Sequence, residues 1–212
     1  MRERPIDAIE RDHLCDLFLE LGPDAPTLCE GWTTLDLAAH LVVREHDPRA
    51  GLAILGGERF SGLERRLLDG AEKRGFDTLV ARLRGGPPLV PWRLPGLRTP
   101  MNLNEWFVHH EDVRRANGLE PRTGVTDLET ALWHQLRTGG WLMARGLKGA
   151  GLELEAPGFG ARIVRDRQPV AQLRGSPQEL MLYLNGRRSA ARVELRGDQP
   201  ALDALAAARF GI

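Results

Sequence analysis

Glu105 and His109 stand four residues apart in Asn104-Glu105-Trp106-Phe107-Val108-His109-His110-Glu111-Asp112-Val113-Arg114-Arg115-Ala116, a stretch without Gly or Pro. Its apolar residues recur at helical spacing, and an i, i+4 pair on a helix leaves the same face with Cβ atoms roughly 5–6 Å apart. A carboxylate and an imidazole so placed close on one divalent ion, because metal–ligand bonds measure only about 2.0–2.2 Å. Two ligands do not make a site. His40, inside the apolar run Leu35-Asp36-Leu37-Ala38-Ala39-His40-Leu41-Val42-Val43, is the candidate third. Such a set leaves a coordination position for water or substrate, as in catalytic zinc centres, and nickel or iron accept the same donors. The competing reading is a solvated Glu–His helix pair and a core histidine with its own hydrogen-bond partner.

Other candidates carry less chemistry. His110 points about 100° away around the helix and is set aside as a ligand. His13, His46 and His134 have no partner identifiable in the sequence. Cys29 has no histidine base at a recognisable spacing and reads as a small buried thiol. Trp32, Trp106, Trp133 and Trp141 read as bundle core.

The elements that must deliver these side chains are helical. Residues 6–21 carry Ile9, Leu14, Leu17, Phe18 and Leu21 at helical spacing and stop at Gly22-Pro23. Thr33 or Thr34 caps a second helix that runs to about Glu45, with Asp36 in its first turn. Residues 50–86 read as short helical pieces, one of them charged, from about Leu63 to Arg84. The Pro- and Gly-rich stretch 85–100, with Trp92 and Arg98, reads as a loop over the site. The Glu105 helix follows, and residues 126–147 form another, with Leu128, Leu132, Trp133, Leu136, Trp141 and Leu142 as its stripe. The texture changes at Gly149-Ala150-Gly151. Residues 152–155, 161–164, 170–173 and 191–195 alternate as strands, Ser176-Pro177-Gln178-Glu179 opens a helix, and residues 199–208 form an Ala-rich one. The expectation is a four-helix bundle over 1–148 and a small α+β domain over 149–212.

Composition excludes as much as it suggests. The 212 residues are 42% hydrophobic and 27% charged with zero formal net charge, so no long-range attraction favours nucleic acid or an anionic membrane. Lys73 and Lys148 are the only lysines. The excess of Arg reads as GC-rich coding bias rather than a dedicated anion site. No apolar run approaches the roughly 20 residues needed to cross a bilayer. Met1-Arg2-Glu3-Arg4-Pro5 lacks a signal peptide's apolar core. Cys15 and Cys29 form neither a disulfide framework nor a CxxC pair. A cytoplasmic protein, monomer or homodimer, with reduced thiols is expected.

Trp32-Thr33-Thr34-Leu35-Asp36-Leu37-Ala38-Ala39-His40-Leu41, followed by Glu105-x-x-x-His109, resembles the DinB-like metal-binding bundle. It resembles more closely the actinobacterial proteins related to mycothiol-dependent maleylpyruvate isomerase. The resemblance covers both parts of the chain and implies a sterol-carrier-like α+β domain at the C-terminus. It implies a divalent metal, zinc first, on His40, Glu105 and His109, with mycothiol as thiol cosubstrate. It further implies a small-molecule electrophile that the activated thiol isomerises, by addition, rotation and elimination, or conjugates. An Arg of the C-terminal domain takes part in that family, and Arg187 or Arg188 is its candidate counterpart, able to bind a substrate carboxylate bidentately. Two other readings stand beside this one. The first is a non-catalytic metal-containing module whose C-terminal domain grips a hydrophobic ligand or partner, and the second is a structural bundle without metal.

Overall fold

A helix start is written into Thr33-Thr34-Leu35-Asp36. The Thr33 hydroxyl accepts from the Asp36 N–H, and the Asp36 carboxylate accepts from the Thr33 N–H at 2.7 Å. This reciprocal cap satisfies two backbone donors that the helix itself leaves unpaired. The protein is seen here in a computed structural model that describes residues 4–47, 61–86 and 98–211. It divides into two compact units, Met1–Pro121 and Arg122–Ile212.

The first unit contains α1 (Ile6–Leu21), α2 (Thr34–His46), α3 (Ser61–Glu72), α4 (Phe76–Gly85) and α5 (Arg98–Ala116). Helix α1 packs on α5 and α4, and α2 packs on α3 and α4. Leu14 and Phe18 of α1, Leu37 and Leu41 of α2, Leu79 and Leu83 of α4, and Trp106 and Val113 of α5 are fully buried in one cluster. Each such side chain contributes roughly 1.5–3 kcal/mol by leaving water, so α2 and α5 are fixed by the core and not by the site they carry. Ion pairs lace the same helices. Arg11 of α1 meets Glu45 of α2 and lies over the Trp106 ring, and Glu10 meets His110 of α5 at 3.3 Å.

Two expectations change here. The charged stretch 63–84 is two helices, because Gly75 takes φ 83°, a conformation open to glycine, and starts α4 anew. The 85–100 loop is shorter than expected at its far end, since the backbone is already helical at Arg98. Residues 87–97, including Trp92, lie outside the described residues.

The second unit holds α6 (Thr126–Met143), a 3-10 turn (Ala144–Gly146), β1 (Gly151–Ala156), β2 (Gly160–Arg165), β3 (Val170–Arg174), α7 (Pro177–Leu184), β4 (Glu194–Arg196) and α8 (Gln199–Ala207). Its strands order as β2-β1-β3-β4, with β1 antiparallel to β2 and parallel to β3, and β4 antiparallel to β3. Buried Leu152 and Leu154 pair with buried Ala171 and Leu173, while Glu153 and Glu155 on the other face accept from Gln172 and Arg174 at 2.8 and 3.1 Å. The period-2 alternation read in the sequence thus separates an apolar from a polar face. Ser176 caps α7 and Asp198 caps α8.

The sequence reading groups the 126–147 helix with the bundle; in the structure the main packing partners of α6 are α7 and β2. Gly140 permits that approach, because a Cβ there would lie 2.8 Å from Val164 Cγ1. Trp141, expected in the core, is 63% exposed. The last strand is three residues, Glu194–Arg196, and fully on the surface.

Candidate metal centre

Helices α2 and α5 supply the three predicted ligands. His40 comes from α2 between buried Ala39 and Leu41, and Glu105 and His109 come from successive turns of α5 beside buried Trp106 and Val108. Glu105 Oε1 lies 3.3 Å from His109 Nε2 and 3.6 Å from His40 Nε2. The two imidazoles meet edge to face, their centroids 5.6 Å apart. The structure therefore brings all three together, and one donor atom from each lies within 4.8 Å of the others. A tetrahedral ion with bonds of about 2.0–2.1 Å spaces its ligand atoms roughly 3.4 Å apart, so the separations from Glu105 fit such an ion.

A second set of residues fixes the first. His109 Nδ1 lies 2.9 Å from Oδ2 of Asp112, whose side chain is wholly buried. A carboxylate only accepts, so Nδ1 carries hydrogen, and the lone pair of the neutral ring sits on Nε2, facing Glu105. Asp112 is itself held. Its Oδ2 accepts from Cys29 Sγ at 3.4 Å, and its backbone carbonyl accepts from the Leu28 N–H at 3.1 Å. Thr27 Oγ1 accepts from the Cys29 N–H and donates to the Trp32 carbonyl, which folds this loop onto α5. Cys29, His109 and Asp112 form the other group of metal-type donors among the described residues. We read it as the outer shell of the first, since the oxygen it would offer is the one that orients His109.

Charge follows the same geometry. Burial pushes the Glu105 carboxyl up, but the His109 and His40 imidazoles and the Arg44 guanidinium, 3.2 Å from Oε1, outweigh it and hold the group well below its ordinary range. Burial pushes His109 down, yet Asp112, Cys29 and Glu105 together hold it well above the usual imidazole range. Protonated on both nitrogens, His109 would stand as an imidazolium between the Glu105 and Asp112 carboxylates.

Asp112 and Arg44 escaped the sequence reading. Each was visible only as spacing, Asp112 three residues after His109 and Arg44 four after His40. His110 is buried against Glu10, as its different helix face required. His13 and His134 are exposed. Of the Arg pair, Arg188 donates to the carbonyls of Ala206, at 3.0 Å, and Leu205 at the end of α8. Its guanidinium also covers the Tyr183 and Phe210 rings. Arg187 donates to the Asn185 carbonyl at 2.8 Å.

Fold and site together define a class: a helical unit with a candidate two-histidine, one-carboxylate centre, joined in one chain to an α+β unit with a four-stranded mixed sheet. A solved protein that matches in fold is the mycothiol-dependent maleylpyruvate isomerase, whose crystal structure matches with a TM-score of 0.57 over 89% of each chain. The two are 18% identical, so the likeness is one of fold. No protein-family model and no curated protein matches the sequence. No helix among the described residues is long and apolar enough to cross a membrane.

Proposed function

We propose that this chain is a metal-dependent enzyme that activates a low-molecular-weight thiol, mycothiol, to isomerise or conjugate a small electrophile. The observation that carries the reading is the convergence of His40, Glu105 and His109 from two core-anchored helices, in a fold shared with a mycothiol-dependent isomerase. A bound divalent ion, zinc before nickel or iron, would lower the pKa of a thiol at its open position and so supply the nucleophile. His40 and His109 would bind through Nε2, Glu105 through a carboxylate oxygen, with Asp112 holding the His109 ring. Arg187 or Arg188 would receive a substrate carboxylate. Arg188 already holds the end of α8, so its removal should also loosen the fold, which makes Arg187→Gln the cleaner test. The second unit is read as sterol-carrier-like, and the protein as cytoplasmic, monomer or homodimer.

Two measurements test this together. Protein purified without chelator should hold about one equivalent of divalent metal, and His40→Ala should abolish that occupancy while the helical circular dichroism persists. Incubated with mycothiol and maleylpyruvate or another electrophile, the metal-loaded protein should isomerise the substrate or consume thiol. Metal without turnover across an electrophile panel would leave a binding module. Absence of metal, with no rise in melting temperature on adding zinc or nickel, would end the metal-centre reading.

A further inference from the structure

We propose that Arg44 is a positioning residue for the metal centre: its guanidinium holds Glu105 in place once a divalent ion has arrived. The proposal rests on the metal-centre reading above and concerns what keeps that centre in shape. Among the described residues, three nitrogen groups face Glu105 Oε1: Arg44 Nε at 3.2 Å, His109 Nε2 at 3.3 Å and His40 Nε2 at 3.6 Å. Histidines that ligate an ion do so through an unprotonated nitrogen, so a ligating Nε2 has no hydrogen to donate to Oε1. Arginine has no such alternative. Its guanidinium stays charged in proteins and has no lone pair to offer a metal, so the Arg44 contact is the one of the three that persists. Oε1 has two lone pairs, enough to serve an ion and a guanidinium at once.

Helix geometry makes the arrangement local. Arg44 follows His40 by one turn of α2, so the same face that presents a ligand also presents the anchor for a ligand on α5. Both side chains of the ion pair are largely shielded from water, at 14% exposure for Arg44 and 22% for Glu105, and the pair is screened less than a surface one. A flexible Glu without this anchor would have to be ordered by the ion itself, at a cost in affinity.

Zinc affinity of Arg44→Met and Arg44→Lys, measured against a chromophoric chelator, tests this. Outer-shell partners are worth about 10- to 100-fold in metal affinity, so Arg44→Met should weaken zinc binding by that factor. Arg44→Lys should recover part of the loss, and the cobalt absorption spectrum of Arg44→Met should differ from the native one. Circular dichroism checks that both variants fold; should Arg44→Met not fold, Arg44→Gln takes its place. Zinc affinity in the methionine variant equal to or above native overturns the proposal, because the guanidinium would then be only a repelling neighbour. That outcome leaves the centre itself intact, whereas native protein that binds no zinc removes the centre and this role with it.

Discussion

Asp112→Asn is the most informative single change in the molecule. The substitution keeps size and an acceptor oxygen but removes the charge that His109 Nδ1 meets at 2.9 Å inside a wholly buried position. The Leu28 N–H bonds to the backbone carbonyl of residue 112 and not to its side chain, so the loop stays attached and the perturbation is local. Losing a charge-assisted hydrogen bond of this kind costs roughly 1.5–3 kcal/mol in the ion-free protein. On the metal side, an outer-shell carboxylate is worth about 10- to 100-fold in affinity, or roughly 1.4–2.8 kcal/mol. Stabilisation by a ligand scales with RT ln(1 + [L]/Kd), so at fixed free zinc well above Kd the stabilisation by zinc should shrink by that amount, and the gap between melting temperatures in zinc and in chelator should narrow accordingly. Competition against a chelating dye gives Kd directly. The sign of the pH effect also follows. His109 titrates well above its unfolded value in the native protein, so the stability it contributes is complete below the unfolded pKa and is lost as pH rises through the folded one. Asparagine removes a partner that raises this pKa, so in the variant the loss should begin at lower pH. Unchanged zinc affinity in Asp112→Asn would refute the claim that this carboxylate orients the ligand.

Three further outcomes are expected. Zinc bound through His109 would displace a proton from that ring, so apparent affinity should fall by about tenfold per pH unit below the folded pKa of that residue, and a pH-independent Kd between pH 6 and 8 would contradict it. Cys15 is wholly buried, with its thiol pushed up to about 12, whereas Cys29 is half-buried, so a thiol reagent should modify one cysteine of native protein quickly and both only after denaturation. Gly140→Val should destabilise the second unit by roughly 1–3 kcal/mol through overpacking against Val164, read by chemical denaturation, while zinc affinity stays native.

The convergence of the three candidate ligands was legible because helix periodicity is a strict rule. Glu105 and His109 had to share a face if residues 104–116 were helical, and Thr33 with Asp36 announced where the His40 helix begins. Asp112 was illegible for a physical reason: an acid near a helix end, three residues from a histidine, is written the same way whether it is solvated or buried. Arg44 hid among many arginines. In the second unit, the stripe of α6 runs Leu128, Leu132, Leu136, Gly140, all buried. A glycine at the closest approach carries no hydrophobic signal, so the eye passes to Trp141, which stands in solvent. The α3–α4 break was missed because a lone Gly75 in a charged helical pattern costs only about 1 kcal/mol and is often tolerated. Strand β4 was misplaced by a few residues because all of it is exposed, and an exposed strand has no buried face to fix its register in sequence.

The charges around the centre make an argument that distances alone do not. With both carboxylates ionised and His109 protonated, Glu105 and Asp112 contribute −2 and Arg44 and His109 +2, so these four groups sum to zero. A divalent ion that takes the place of one proton leaves the same groups with the ion at +1. In a partly buried site that surplus is poorly screened, and an anion at the open position relieves it more than a neutral molecule does. On the proposed reading a thiol that gave up its proton there would supply that anion, whereas water or an alcohol would do so less readily, being the weaker acid. On the proposed reading Arg44 would have two consequences that run together. It would keep Glu105 where an ion needs it, and it would withhold part of the negative charge that otherwise quenches the pull of that ion on an incoming thiol.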